Sequence, residues 1–157
     1  MKLVLLLVSA TFLATDVEAF SAPFPGLKKC AVVPSGTEPC WELADPDMTD
    51  IPDNFLYDNT DLTGTLKVGP AVKTIGARAF VRTKFTCLDL SEATSLVEIG
   101  TGAFYATDLA GTLVIPATVT TIGDDAFEDT KLTGLDLSEA TSLVKIPTPF
   151  HQVHGPL

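Results

Sequence analysis

Gly111-Thr112-Leu113-Val114-Ile115-Pro116-Ala117-Thr118-Val119-Thr120-Thr121-Ile122-Gly123-Asp124-Asp125-Ala126-Phe127 is the stretch from which the rest of the chain can be read. Shifted copies of it account for almost everything between Ile51 and Phe150. Its ending returns as Ile75-Gly76-Ala77-Arg78-Ala79-Phe80 and Ile99-Gly100-Thr101-Gly102-Ala103-Phe104, and more loosely as Ile51-Pro52-Asp53-Asn54-Phe55 and Ile146-Pro147-Thr148-Pro149-Phe150. The steps between Ile51, Ile75, Ile99, Ile122 and Ile146 are 24, 24, 23 and 24 residues. Self-similarity at a fixed period marks a solenoid, and this period is too short for an array of helical hairpins. A second period lies on the first: Leu88–Gly100, LDLSEATSLVEIG, returns 47 residues later as LDLSEATSLVKIP at Leu135–Pro147. The coils therefore alternate between two types.

Each coil has a physical reading. Leu66-Lys67-Val68, Leu88-Asp89-Leu90, Leu113-Val114-Ile115 and Leu135-Asp136-Leu137 set apolar side chains two apart, the period of a strand with one buried face. Pro70, Pro116, Ser91 and Ser138 then break the strand and turn the chain. Val72, Leu96, Val119 and Leu143 point inward three residues before the next isoleucine. The glycine after that isoleucine is expected to take a positive φ or a tight turn. The Ala-Phe pairs fill the interior, and Asp124 and Asp125 suit the start of a short helical turn. The strand leucines alternate in spacing because Leu62 and Leu109 stand four residues before Leu66 and Leu113, whereas Phe85 and Leu132 stand three before Leu88 and Leu135. Loops are expected to absorb that difference. Inward residues worth roughly 1.5–3 kcal/mol each when fully buried cannot be shielded within one coil, so the coils must stack.

The run Ile115-Pro116 through Phe127, with its looser copy at Val68 to Phe80, resembles the BspA-like class of leucine-rich repeats. Pro, Val, Ile-Gly and Ala-Phe recur at the offsets of that motif. Alternate coils depart from it with LDLSEATSL in place of the Ile-Pro turn, and no cysteine follows the Ala-Phe pairs. The resemblance implies a solenoid of leucine-rich coils of 23–24 residues, with short parallel strands and short helical or irregular turns. It further implies an extracellular or cell-surface interaction scaffold, in several cases adhesive, without transferable catalytic residues.

The chain divides into residues 1–19, 20–50, 51–150 and 151–157. Lys2, the apolar Leu3–Leu13 and Val17-Glu18-Ala19 read as a secretory signal peptide, with cleavage after Ala22 as an alternative and an uncleaved N-terminal anchor as another. Phe20-Ser21-Ala22-Pro23-Phe24 resembles the bipartite plastid leaders of algae with secondary plastids. No later stretch approaches the twenty or so apolar residues of a membrane span. Residues 20–50 are proline-rich and read as a leader and cap: Cys30 and Cys40 bracket a turn-rich loop, and their disulfide, with Trp41, would cover the first coil. The alternative is an unstructured leader with two free thiols. Cys87 is left over, either a reactive thiol or a small residue tolerated on a sheet surface.

In a parallel sheet, the residues between the inward leucines form an exposed row: Lys67, Asp89, Val114 and Asp136, flanked by Thr65, Cys87, Thr112 and Gly134. Of these, Thr65, Lys67, Asp89, Thr112, Val114 and Asp136 are the candidate binding face, since solenoids commonly bind through such a face. Catalytic residues, cofactors and metal ligands are not expected. Asp89 and Asp136 occupy equivalent places, whereas acid/base chemistry needs carboxyls in different environments. Neither EF-hand spacing nor a glycine-aspartate nonapeptide is present, and His151 and His154 lack further zinc ligands. The net charge is −10, and −9 once Lys2, Asp16 and Glu18 leave with the signal. That charge argues against nucleic acid and anionic membranes as partners.

The expected function is a secreted or cell-surface, non-catalytic module for protein binding or adhesion, with a protein or extracellular-matrix ligand. The alternative is a self-associating structural repeat protein, or a fragment of a longer surface antigen or receptor. In that case copies would meet through the open coil at Ile146–Phe150.

Overall fold

The Leu-x-Leu triplets become the long strands of the coils. The computed structural model of the chain describes residues 26–30, 39–43 and 45–146. Strands β4 (Thr63–Lys67), β6 (Lys84–Asp89), β8 (Ala110–Val114) and β10 (Lys131–Asp136) carry one triplet leucine each, and Leu66, Leu88 and Leu113 are buried. The marker isoleucines form a second set of strands, each two residues long: β3 (Asp50–Ile51), β5 (Thr74–Ile75), β7 (Glu98–Ile99) and β9 (Thr121–Ile122). These four make one parallel sheet in chain order, with Ile51, Ile75, Ile99 and Ile122 all interior. Thr121 continues it by a bridge to Lys145.

Between each short strand and the next long one, the chain runs through a turn that stacks on its copies by backbone hydrogen bonds. The amides of Arg78, Phe80 and Arg82 donate to the carbonyls of Thr101, Ala103 and Tyr105, and those of Gly102, Phe104 and Ala106 to Asp124, Ala126 and Glu128. No helix occurs among the described residues. The short helical turn expected at Asp124-Asp125 is absent, because Asp125 sits at φ 57, in the left-handed region. Arg78, Arg82, Asp129 and others do the same, and such alternation breaks any helical hydrogen-bond run.

The marker glycines serve another purpose than expected. Gly76, Gly100 and Gly123 are not among the positive-φ residues. A Cβ on Gly100 would lie 2.8 Å from the amide nitrogen of Ala77, and one on Gly123 would lie 2.4 Å from that of Thr101. These glycines let the backbone of one coil press against the coil before it.

Loops take up the alternating leucine spacing, since Ile75 follows Leu66 by nine residues and Ile99 follows Leu88 by eleven, and the long strands carry a bulge besides. The β4–β6 ladder pairs Gly64 with Phe85 and then Thr65 with Cys87, so Thr86 is an extra, bulged residue; Thr133 is its equivalent in β10. The core runs the length of the coils. Phe80 and Phe104 are fully buried, and Phe55 meets Phe80 edge to face at 6.1 Å. The hydroxyls of Thr83, Thr107 and Thr130 donate to the carbonyls of Phe80, Phe104 and Phe127, three residues earlier.

Ahead of the coils, β1 (Leu27–Lys29) pairs antiparallel with β2 (Cys40–Leu43), and β2 lies parallel to β4. Cys30 and Cys40 are bridged, their Cα atoms 5.4 Å apart. Leu27, Trp41 and Leu43 are buried, and the Trp41 indole N–H donates to the Thr63 carbonyl at 3.0 Å. At the other end burial falls away: Leu135, Leu137 and Leu143 are half-buried, and Ile146 is 46% exposed. Residues 1–25, where a signal peptide and leader are expected, Pro147–Phe150 and the tail with His151 and His154 lie outside the described residues.

Candidate functional site

The candidate row begins at the N-terminal strand pair. In register, Glu42 lies beside Lys67, and Lys67 beside Asp89. Thr65 pairs with Cys87, whose thiol side is exposed. The Lys67 ammonium reaches away from the row to Glu92, at 2.8 Å. That contact raises the lysine's pKa, although desolvation opposes it. Glu92 escaped the sequence reading because it lies in the turn after the strand, 25 residues from Lys67.

Asp89 and Asp136 have the same local task. The Ser91 amide donates to Asp89 Oδ1, and the Ser138 amide to Asp136 Oδ1, both at 2.9 Å. Each closes an Asx turn that ends its strand. Burial alone would raise the Asp89 pKa, yet the hydrogen bonds from Ser91 and the charge of Lys67 outweigh it and the net shift is downward. Asp136 shifts the same way, through Ser138. Two carboxylates tuned alike give no acid/base division of labour.

The row is not continuous. The long strands fall into two sheets, β1-β2-β4-β6 and β8-β10, and no ladder joins β6 to β8. Thr112 and Val114 therefore pair with Gly134 and Asp136 across β8–β10, but not with Cys87 and Asp89. The Val68 amide donates to the Asp89 carbonyl, so the peptide groups of Asp89 face β4 and those of Leu88 face away. The Ile115 amide donates to Asp136, which turns the peptide groups of Val114 toward β6. Leu88 and Val114 thus look at one another across an open seam. A groove of about 490 Å³ lies there, floored by leucines and isoleucine, with Asp89 and Glu139 at its sides. Val114 is 52% exposed.

This arrangement supplies an apolar strip with flanking carboxylates, the ingredients for contact with a positively charged protein surface, while residues of β6 and β8 come within 8 Å of one another, closer than a strand paired to both would need. Among the described residues no group of three or more His, Cys, Asp or Glu side chains could hold a metal ion. No helix among them is long and apolar enough to cross a membrane.

A family model described as BspA type Leucine rich repeat region matches residues 43–149 in six copies. The chain belongs to the BspA-type leucine-rich repeat family. The match begins at Leu43, ahead of Ile51, and so takes in the end of β2. Comparison with curated proteins and with solved structures finds no match. BspA-type repeats are generally non-enzymatic scaffolds for protein binding and typically belong to surface proteins.

Proposed function

We propose that the chain is a secreted or cell-surface, non-catalytic module that binds a protein or matrix partner on its long-strand wall, at the seam between β6 and β8. The observation that carries this reading is the missing ladder between those strands. Without that ladder an apolar strip stays open on the wall, and the acidic surroundings favour a basic partner. Residues 1–19 act as a signal peptide in this reading, and the Cys30–Cys40 bridge with Trp41 caps the first coil. Thr65, Lys67, Asp89, Thr112, Val114 and Asp136 contribute the flanks of the contact.

The experiment is site-specific photo-crosslinking on the native cell surface, with a photoreactive residue at position 114 and, as control, at Glu98 on the short-strand side. The reading expects one discrete protein adduct from position 114, weakened by Asp89→Lys, and none from position 98. Adducts from position 98 alone would overturn it.

A second reading rests on the exposure of Val144, 88%, and Ile146 at the last described coil. There, copies would associate end to end through the C-terminal coil. Val144→Ser would then lower the self-association and leave the crosslink at position 114 untouched.

A further inference from the structure

The stacked turns carry a charge pattern that coil packing does not require. Backbone hydrogen bonds set Asn54, Arg78, Gly102 and Asp125 one above another along the solenoid, and Asp58, Arg82, Ala106 and Asp129 in a parallel row. The second coil therefore presents two arginines, the fourth two aspartates, and the third, between them, only Gly102 and Ala106. These are the only arginines in a chain of net charge −10. All four charged residues are exposed. The gap over the third coil is a groove of about 450 Å³, with Tyr105 inside it.

Little within the chain uses these charges. Arg82 stands 3.7 Å from Asp58 at the surface, and Asp129, beside the Tyr105 hydroxyl, raises the tyrosine's pKa. Neither Arg78 nor Asp125 has an ion-pair partner among the described residues.

We propose that this face pairs with the same face of a second copy of the chain, about a two-fold axis lying along the third coil. Such an axis keeps position along the coil and reverses the order of the coils. Arg78 then meets Asp125 of the second copy, Arg82 meets Asp129 of the second copy, and each pair occurs twice, as an isologous contact demands. The two Tyr105 side chains face each other on the axis, where Gly102 and Ala106 leave room for them. An acidic peptide would satisfy the arginines but lie against Asp125 and Asp129 with like charge; a second copy satisfies both. Elsewhere the acidic surfaces repel, which confines association to this face. The pairs are exposed, so the dimer is weak and sensitive to salt. It goes beyond the partner contact at β6 and β8 and uses none of the long strands.

The test is sedimentation equilibrium of the purified chain over a wide concentration range at low ionic strength, with Arg78→Asp and Asp125→Arg. Both positions already hold a left-handed residue of the incoming type in the other coil, so each substitution suits its backbone. The parent chain should dimerise, and roughly 1 M salt should dissociate it. Each variant alone should associate more weakly by roughly tenfold or more, because like charges now oppose. An equimolar mixture of the two should recover the dimer, since the aspartate introduced by Arg78→Asp in one variant then faces the arginine introduced by Asp125→Arg in the other. A monomeric parent at low salt, single variants that dimerise as the parent does, or a mixture that stays monomeric would each overturn the proposal.

Discussion

Phe80 and Phe104 stack with ring centroids 5.2 Å apart and planes 10° from parallel. Phe104 repeats the contact with Phe127, at 5.6 Å and 1°. One ring per coil thus ties three coils into a column that no coil could bury alone.

Removing the middle ring should therefore cost more than removing the last. Phe104→Ala is expected to destabilise the chain by about 3–5 kcal/mol in urea unfolding, the range for a fully buried phenylalanine. Phe127, 9% exposed, has no described ring beyond it, and its truncation should fall toward the lower end of that range.

The glycines separate by position. Gly100→Ala brings a methyl to 2.8 Å from backbone atoms of the preceding coil, which cannot yield as a side chain would. A loss of about 1–3 kcal/mol is expected, as for overpacking. Gly134→Ala meets nothing closer than 4.0 Å and should leave stability unchanged or raised by up to about 1 kcal/mol. Paired thermal melts check both.

Asp108 joins three coils through charge: Lys131 approaches to 2.8 Å and Lys84 to 3.4 Å. The hydrogen bond from Lys131, with the charge of Lys84, holds the Asp108 pKa below its usual value. The stabilisation is complete above the ordinary titration range of an aspartate and disappears as pH falls through the lowered value in the folded state. Asp108→Asn should thus lower the melting temperature at neutral pH and approach the parent in strong acid. A difference that persists unchanged into acid would contradict this assignment.

Much of this is legible in the residues. Ile-Gly-x-x-Ala-Phe announces the stack of coils, and the position of Lys67 next to Asp89 follows from the register of equivalent leucines. The Thr83, Thr107 and Thr130 caps were also readable, since Ala-Phe-x-x-Thr recurs three times. Other features were not. The glycine beside each isoleucine reads equally as a turn or as a close approach, and only the neighbouring coil decides between them. Left-handed φ at Arg78 and Asp125 has no local signature, because the ladder hydrogen bonds hold those residues there. The seam between Leu88 and Val114 depends on backbone pairing between coils. The triplets on its two sides look alike, so in sequence the row reads as continuous through Asp89 and Val114.

The seam is the central claim, and amide hydrogen exchange read at the Leu88 and Val114 positions tests it most directly, in the free chain and saturated with the protein cross-linked at position 114. The account predicts fast exchange at both amides in the free chain, slow exchange at Asp89 and Ile115, and protection of Leu88 and Val114 on binding. Leu88 and Val114 amides already protected in the free chain, or unchanged at saturation, would contradict it.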